Sequence, residues 1–298
     1  MLRSLEIQNF KGIKQGKIED LAQVNILVGR NNSGKSTILD ALVLLRAPII
    51  GQDYLNRSGI EQIVTRRVDR GRGNLAYDEL WFRMGTGDPL TLRAALGTEA
   101  TLTEQWNSRG NTNRPEASVE LRNASDSPTA QKWKSSGDSG TARHYRNTNA
   151  WPAIKNNTNE GVATFLSLVH ILEPNLIHQE FDEGLWFELA KDRKDKKVIG
   201  MLNHIYQTDI ESLNFSLFPP PNRRLVAALP GTSVAVDWLG DGFRYAVNIL
   251  ALGVLLKGTA LLVEELETHQ HPESLRKLTQ TPFELAKEQD LQLFLTTH

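Results

Sequence analysis

Three observations predict an α/β fold with a mixed parallel core sheet, an N-terminal antiparallel β subdomain and a helical and loop insertion. An apolar strand, Val24 to Val28, runs through a glycine-rich loop straight into an amphipathic helix. Far along the chain a second apolar run, Leu261-Leu262-Val263, delivers two carboxylates, Glu264 and Glu265, at its end. Between them Asn123 to Asn159 is rich in Ser, Thr, Asn, Gly and charge and poor in aliphatic residues, so it has little to bury. The 298 residues suit one large domain or two interleaved ones. The expected division is 1–122 for an N-terminal lobe with the antiparallel subdomain, 123–215 for an insertion, and 216–298 for a C-terminal lobe.

Taken in order, Leu5 and Ile7 alternate as in a half-buried strand, followed by Ile18 and then the run Val24 to Val28. Ser36 to Arg46 reads as a helix, because Ile38, Leu39, Ala41, Leu42 and Leu45 recur three and four residues apart. Glu79 to Met84, Leu90 to Ala95 and Ala117 to Leu121 read as strands of an attached antiparallel sheet, separated by Gly, Asp and Pro. Asn123 to Asn159 is expected to be a long loop or mobile arm. Helical periodicity returns at Val162 to Leu172 and Leu185 to Ile205. The charged stretch Lys191 to Lys197 splits the second of these, and its alternating signs through Asp192 and Asp195 suit a solvated face. Pro219-Pro220-Pro221 marks a boundary. Strands are then expected at Arg224 to Leu229, Val234 to Val236, Ala260 to Val263 and Gln292 to Thr296, with helices at Phe243 to Leu256 and Pro272 to Lys287.

Thirty-four Lys and Arg against 35 Asp and Glu leave a net charge of -1, so any basic surface must be local. With no cysteine, disulfides, thiolate metal sites and cysteine nucleophiles are excluded. The richest apolar run, Val247 to Val263, is broken by Asn248 and Lys257, and Arg3, Glu6 and Lys11 interrupt the N-terminus. These features lead us to expect a soluble, cytoplasmic protein with no membrane partner.

Gly29-Arg30-Asn31-Asn32-Ser33-Gly34-Lys35-Ser36 fits G-x-x-x-x-G-K-[ST] between a strand and a helix. The backbone amides of Gly29, Asn31, Asn32, Ser33 and Gly34 are candidates to cradle phosphates, with the helix N-terminus adding its dipole. Lys35 reaches the β- and γ-phosphates, Ser36 ligates Mg²⁺, and Thr37 lies within reach of the α-phosphate. A nucleoside triphosphate, ATP, is the ligand this predicts. Of the paired acids, Glu264 is assigned to the metal and Glu265 to the attacking water, as phosphoanhydride hydrolysis requires. Capping of the next helix is the alternative use of such a pair. His269 and His271 lack an obvious third partner for a zinc site, and Pro272 suits a helix start. His298 closes the strand Leu293-Phe294-Leu295.

Four spaced stretches resemble ABC-type ATPases of the OLD and chromosome-maintenance-like group. They are Ile7 to Gly12, Gly29 to Ser36, Leu239 to Arg244, and Leu262 to Glu267 with His269 to Pro272. The resemblance covers both ends of the chain and leaves the middle unassigned. It implies heads that meet head to tail in an ATP-dependent homodimer, each nucleotide closed in by the signature loop of the opposite head. Gly240-Asp241-Gly242 stands where the family usually presents Ser-x-Gly, and Glu264 replaces a more usual aspartate. The resemblance further makes His298 the switch histidine, Lys11 a phosphate contact and Gln52 the glutamine-loop residue beside the metal. It implies an effector acting on nucleic acid, such as a toprim nuclease, in cis or in trans, within DNA processing or phage defence. Family members continue beyond the switch histidine, so the sequence reads either as the ATPase part of a longer protein or as a short member. An ATP-holding scaffold with negligible turnover is the competing reading, and a membrane-transporter head is disfavoured. For DNA, the densest basic run is Arg66, Arg67, Arg70 and Arg72 around Gly71.

Overall fold

A computed structural model of the chain describes residues 1–47, 59–65, 77–97, 100–109, 115–123, 131–135, 165, 169–174, 181–217 and 223–298. In chain order the strands and helices are β1 (Leu2–Phe10), β2 (Ile13–Ile18), β3 (Val24–Val28), α1 (Lys35–Arg46) and α2 (Gly59–Thr65). They continue with β4 (Leu90–Leu96), β5 (Ala100–Asn107), β6 (Glu116–Asn123), β7 (Gln131–Ser135), β8 (His170–Leu172), α3 (Glu183–Lys191) and α4 (Asp195–Tyr206). The remainder are β9 (Ser212–Leu217), β10 (Arg223–Leu229), β11 (Thr232–Ala235), α5 (Asp241–Leu255), β12 (Ala260–Val263), α6 (Pro272–Gln289) and β13 (Gln292–Thr297). The chain groups into two interleaved units. One holds Met1–Gln23, Gly29–His170 and Gly258–Ala260, and the other Val24–Val28, Ile171–Lys257 and Leu261–His298.

The first unit is built on a six-stranded antiparallel sheet in the order β2-β1-β4-β5-β6-β7. Period-two patterning drives it: Leu5 and Ile7 of β1, Leu90, Leu92, Ala94 and Leu96 of β4, and Ala117, Val119 and Leu121 of β6 are all buried. One inward position is a carboxyl. Glu104 of β5 pairs in register with Leu92 and Val119 and is fully buried, its Oε2 accepting from Trp106 Nε1 at 3.1 Å. Burial pushes this carboxyl well above the usual range, the Trp106 bond opposing, so it is held neutral. Helix α1 buries Leu39 to Leu45, and Arg46 at its end donates to the Val169 carbonyl at 2.8 Å.

The second unit carries a three-stranded sheet, β11-β10-β9, and a four-stranded sheet in the order β3-β13-β12-β8. β3 and β13 are parallel, with Val28 opposite Thr297, so both strands finish at the same end. β12, inside that sheet between β13 and β8, is buried at every residue. Helix α5 is apolar almost all round and its Gly253 lies against Leu285 of α6; a Cβ there would fall 2.8 Å from that side chain. Tyr245 of α5 is buried and donates to the Glu264 carbonyl at 2.6 Å, tying the helix to the end of β12.

Several expectations are corrected. Glu79 to Met84 is not a strand: Tyr77–Leu80 and Phe82–Met84 are short 3₁₀ turns, broken by left-handed backbone at Arg83. Of the helix expected at Val162 to Leu172, His170–Leu172 is instead a buried strand, β8, which short apolar runs do not distinguish from a helix turn. β7 lies within the stretch expected to be a loop, pairing antiparallel with β6, while most of 123–159 lies outside the described residues. β5 and β9 carried no expectation. Pro219 to Pro221 also lies outside the described residues. No helix of the described residues is long and apolar enough to cross a membrane.

Candidate active site

In the first unit the glycine loop takes its shape from its own backbone. Gly34 caps α1 at φ 92°, ψ 3°, left-handed geometry that glycine adopts without penalty, and Asn32 is left-handed too at φ 62°. At Gly29 a Cβ would stand 2.7 Å from Ser33 Oγ, so a side chain there would require the Ser33 hydroxyl to turn away. The Ser33 amide donates to the Arg30 carbonyl at 3.2 Å. Lys35 folds back along the loop, its Nζ donating to the Gly29 carbonyl and, at 3.1 Å, to that of Arg30. Asn31, Asn32 and Ser33 are exposed, Ser36 and Thr37 sit in the first turn of α1, and that turn contains no acidic side chain to neutralise the helix dipole. The loop thus carries two cations, Arg30 within it and Lys35 folded back against it.

Lys11 has a partner that the sequence did not suggest. Its ammonium lies 2.6 Å from Asp40 Oδ2, on the buried side of α1, and 3.3 Å from the Ile63 carbonyl. A left-handed turn at Lys11, φ 47°, aims the side chain this way, and its amide bonds the Leu80 carbonyl at 2.8 Å.

The second unit holds the acids in a tight turn after β12. The Glu264 amide donates to the Leu172 carbonyl at 2.9 Å and the residue is 9% exposed. Glu265 follows with φ 51°, strained backbone for a residue with a Cβ, at an expense of about 1 kcal/mol or more that surrounding bonds must offset. Those bonds are present. The Glu265 amide donates to Thr296 Oγ1 at 2.9 Å, and the Thr268 amide closes the turn onto the Glu265 carbonyl at 2.9 Å. The Glu265 carboxylate accepts from Thr268 Oγ1 at 3.3 Å and stands 3.4 Å from His298 Nε2. Glu267 Oε1 in turn accepts from Thr297 Oγ1 at 3.0 Å and from the His298 amide at 2.9 Å, fixing the histidine's backbone. Glu265 and His298 are therefore brought together, and Thr296, Thr297, Thr268 and Glu267 support them. Only the adjacency of Thr296 and Thr297 to His298 hinted at this in the sequence.

The Gly240-Asp241-Gly242 stretch opens α5. Gly240 has φ 95° and ψ 158°, a region open essentially to glycine alone, which accounts for glycine where a serine is usual in the resembling family. Gly242 is buried so closely that a Cβ would fall 2.3 Å from the His269 carbonyl oxygen. Asp241 is exposed. His271 caps α6, its Nδ1 accepting from the Glu273 amide at 3.4 Å, so that imidazole has a structural use. Gln52, Arg66, Arg67, Arg70 and Arg72 lie outside the described residues.

A glycine loop after a parallel strand, acids closing a buried strand and a histidine closing its neighbour define a P-loop ATPase of ABC type. Its fold is that of a chromosome-maintenance head: a solved SMC head bound to the C-terminal winged-helix domain of ScpA superposes with a TM-score of 0.52, at 13% identity, over 99% of this chain and 89% of that one. Residues 24–298 match the family described as "AAA domain, putative AbiEii toxin, Type IV TA system", and the chain belongs to that family. Over its full length it is 20% identical to an ATP/GTP phosphatase of Helicobacter pylori, covering 85% of that protein. A stretch of 44 residues is 50% identical to uncharacterized protein MJECL10 of Methanocaldococcus jannaschii, spanning 15% of this chain and 20% of that relative.

Proposed function

We propose that this ATPase is a Mg²⁺-dependent switch that dimerises head to tail on ATP and controls an effector acting on nucleic acid. The observation that carries the hydrolytic part is Glu265, held in left-handed backbone with its carboxylate between Thr268 and His298. Lys35 and the amides of Gly29 and Asn31 to Gly34 hold the phosphates, and Thr37 adds a hydroxyl near the α-phosphate. Ser36 and the buried Glu264 are the residues that would hold Mg²⁺. Mg²⁺ is a cation held by one or two protein oxygens with phosphates and water, which a serine hydroxyl and a carboxylate can supply. When bound, Mg²⁺ supplies positive charge against the phosphate oxygens. Glu265 would orient and polarise the attacking water, and His298, its backbone fixed through Glu267, stands beside that carboxylate as the candidate γ-phosphate contact.

Gly240 to Gly242 present the N-terminus of α5 to the nucleotide of the opposite head. Gly240 offers no hydroxyl, an observation that favours a second reading, an ATP-holding scaffold with little turnover. Phosphate release from Mg-ATP, with and without DNA, alongside light scattering of Glu265→Gln, separates the two. The switch predicts turnover by the wild type and an ATP-dependent dimer of the variant. A dimer without turnover assigns the scaffold, and a variant monomeric at saturating Mg-ATP refutes head-to-tail closure.

A further inference from the structure

The first turn of α5 is fastened to the far end of the acid turn by side chains that the hydrolytic roles above do not use. The Gly242 carbonyl accepts from Gln270 Nε2 at 2.8 Å. Tyr206, the last residue of α4, completes a triangle: its hydroxyl lies 2.8 Å from Gln270 Oε1 and 3.0 Å from the Gly242 oxygen, and its one proton serves one acceptor at a time. The Tyr206 ring packs on Phe243 of α5 with centroids 5.0 Å apart and planes tilted by 54°. Burial pushes the Tyr206 phenol up to about 12, the Gln270 bond opposing, so the hydroxyl stays a donor at working pH. The same glycine meets the His269 carbonyl so closely that no side chain fits between them.

Residues 269 and 270 belong to the loop that begins with Glu265. The Thr268 amide bonds the Glu265 carbonyl at 2.9 Å and the Gln270 amide bonds the Glu267 carbonyl at 3.1 Å, so consecutive turns link one end to the other. His269 is left-handed at φ 62°, as Glu265 is at φ 51°, so both ends of this short loop hold backbone that tolerates little drift. A shift of the Gly242 peptide is therefore opposed by Tyr206, Gln270 and the His269 carbonyl together, and has the loop of Glu265 as its route of relief.

We propose that Tyr206 and Gln270 are positioning residues, a latch that makes the N-terminus of α5 and the loop of Glu265 move as one body. Engagement of Gly240 to Gly242 by an opposing head is thereby passed to the water-orienting carboxylate of the same chain. This rests on the roles given to Glu265 and the α5 N-terminus above.

The test uses Tyr206→Phe, which keeps the ring and removes the hydroxyl, Gln270→Met, which keeps length and removes the amide, and the double variant. Hydrogen exchange is read at the amides of Arg244 to Val247 together with steady-state ATP turnover. The latch predicts that each single variant raises exchange there and lowers kcat by about tenfold with KM within about threefold. It also predicts a double variant no worse than the poorer single, since both remove one device. Wild-type exchange, raised exchange with wild-type kcat, or losses that multiply in the double variant each overturn it. If instead Glu265→Gln hydrolyses at the wild-type rate while the latch variants stay slow, the role of Glu265 fails and with it the transmission to that carboxylate, leaving only the joint movement of the α5 N-terminus and the loop.

Discussion

The phosphate loop and the acid turn reach their shapes by opposite routes. The loop is closed by neighbours in sequence: Lys35 reaches back six residues to the Gly29 carbonyl, and Ser33 reaches back to Arg30. Glycine at 34, at φ 92°, makes that curvature available at little cost. The acid turn has a local closure, Thr268 on Glu265, but is held in addition by residues about thirty positions away, Thr296 on Glu265 and Thr297 with the His298 amide on Glu267. Its strained Glu265 backbone persists only while β13 stays in register beside β12. On the proposed roles, nucleotide holding falls to one contiguous segment and hydrolysis to a tertiary arrangement.

The largest effect that tests this division falls on turnover. Glu265→Gln keeps shape and hydrogen bonding but loses charge, and it should lower kcat by roughly a hundredfold or more while ATP affinity stays within a few-fold. A parallel loss of affinity would place Glu265 in holding rather than in hydrolysis. Next, Lys11→Met leaves buried Asp40 without its ammonium and should destabilise the protein by about 2 kcal/mol, read in denaturant unfolding. Lost nucleotide affinity at unchanged stability would instead make Lys11 a phosphate contact.

Glu104 supplies a control that belongs to neither region. Its raised carboxyl keeps a proton in the folded chain that the unfolded chain gives up near pH 4.3, so stability falls as pH rises above that point towards the raised folded value. Glu104→Gln lacks this dependence, so its Tm relative to wild type should climb as pH rises above about 4.3 while kcat is unchanged. A constant Tm difference would contradict a neutral buried carboxyl. The smallest effect is Thr296→Val, which removes the acceptor of the Glu265 amide. It should cost about 1 kcal/mol of stability and still slow turnover more than it weakens ATP binding, as calorimetry and phosphate release together would show.

The same contrast explains what the sequence discloses. The loop is legible because Gly29, Gly34, Lys35 and Ser36 carry their chemistry at fixed spacing, and β3 and α1 on either side follow from plain periodicity. Glu264 and Glu265 are legible as acids ending an apolar run, but their supports are not, since nothing in Thr296, Thr297 or Glu267 taken locally announces a partner across the sheet. Lys11 reads, by resemblance, as a phosphate contact, and its ion pair with Asp40, a polar residue on the buried face of a helix, appears only in the fold. β8 and the 3₁₀ turns at Tyr77–Leu80 and Phe82–Met84 are misread for a related reason: runs this short contain too few residues for a period to emerge, and tertiary pairing decides them. Gly240 shows the reverse case, a departure from a family pattern that the backbone at φ 95°, ψ 158° makes intelligible.

The division between holding and hydrolysis is tested most directly by titrating Mg-ATP calorimetrically into Lys35→Ala and Glu265→Gln side by side with the wild type. Removing the cation proposed to hold the β- and γ-phosphates should abolish measurable binding in Lys35→Ala, while Glu265→Gln should bind with wild-type affinity. Wild-type affinity in Lys35→Ala, or binding lost equally in both variants, would contradict the account.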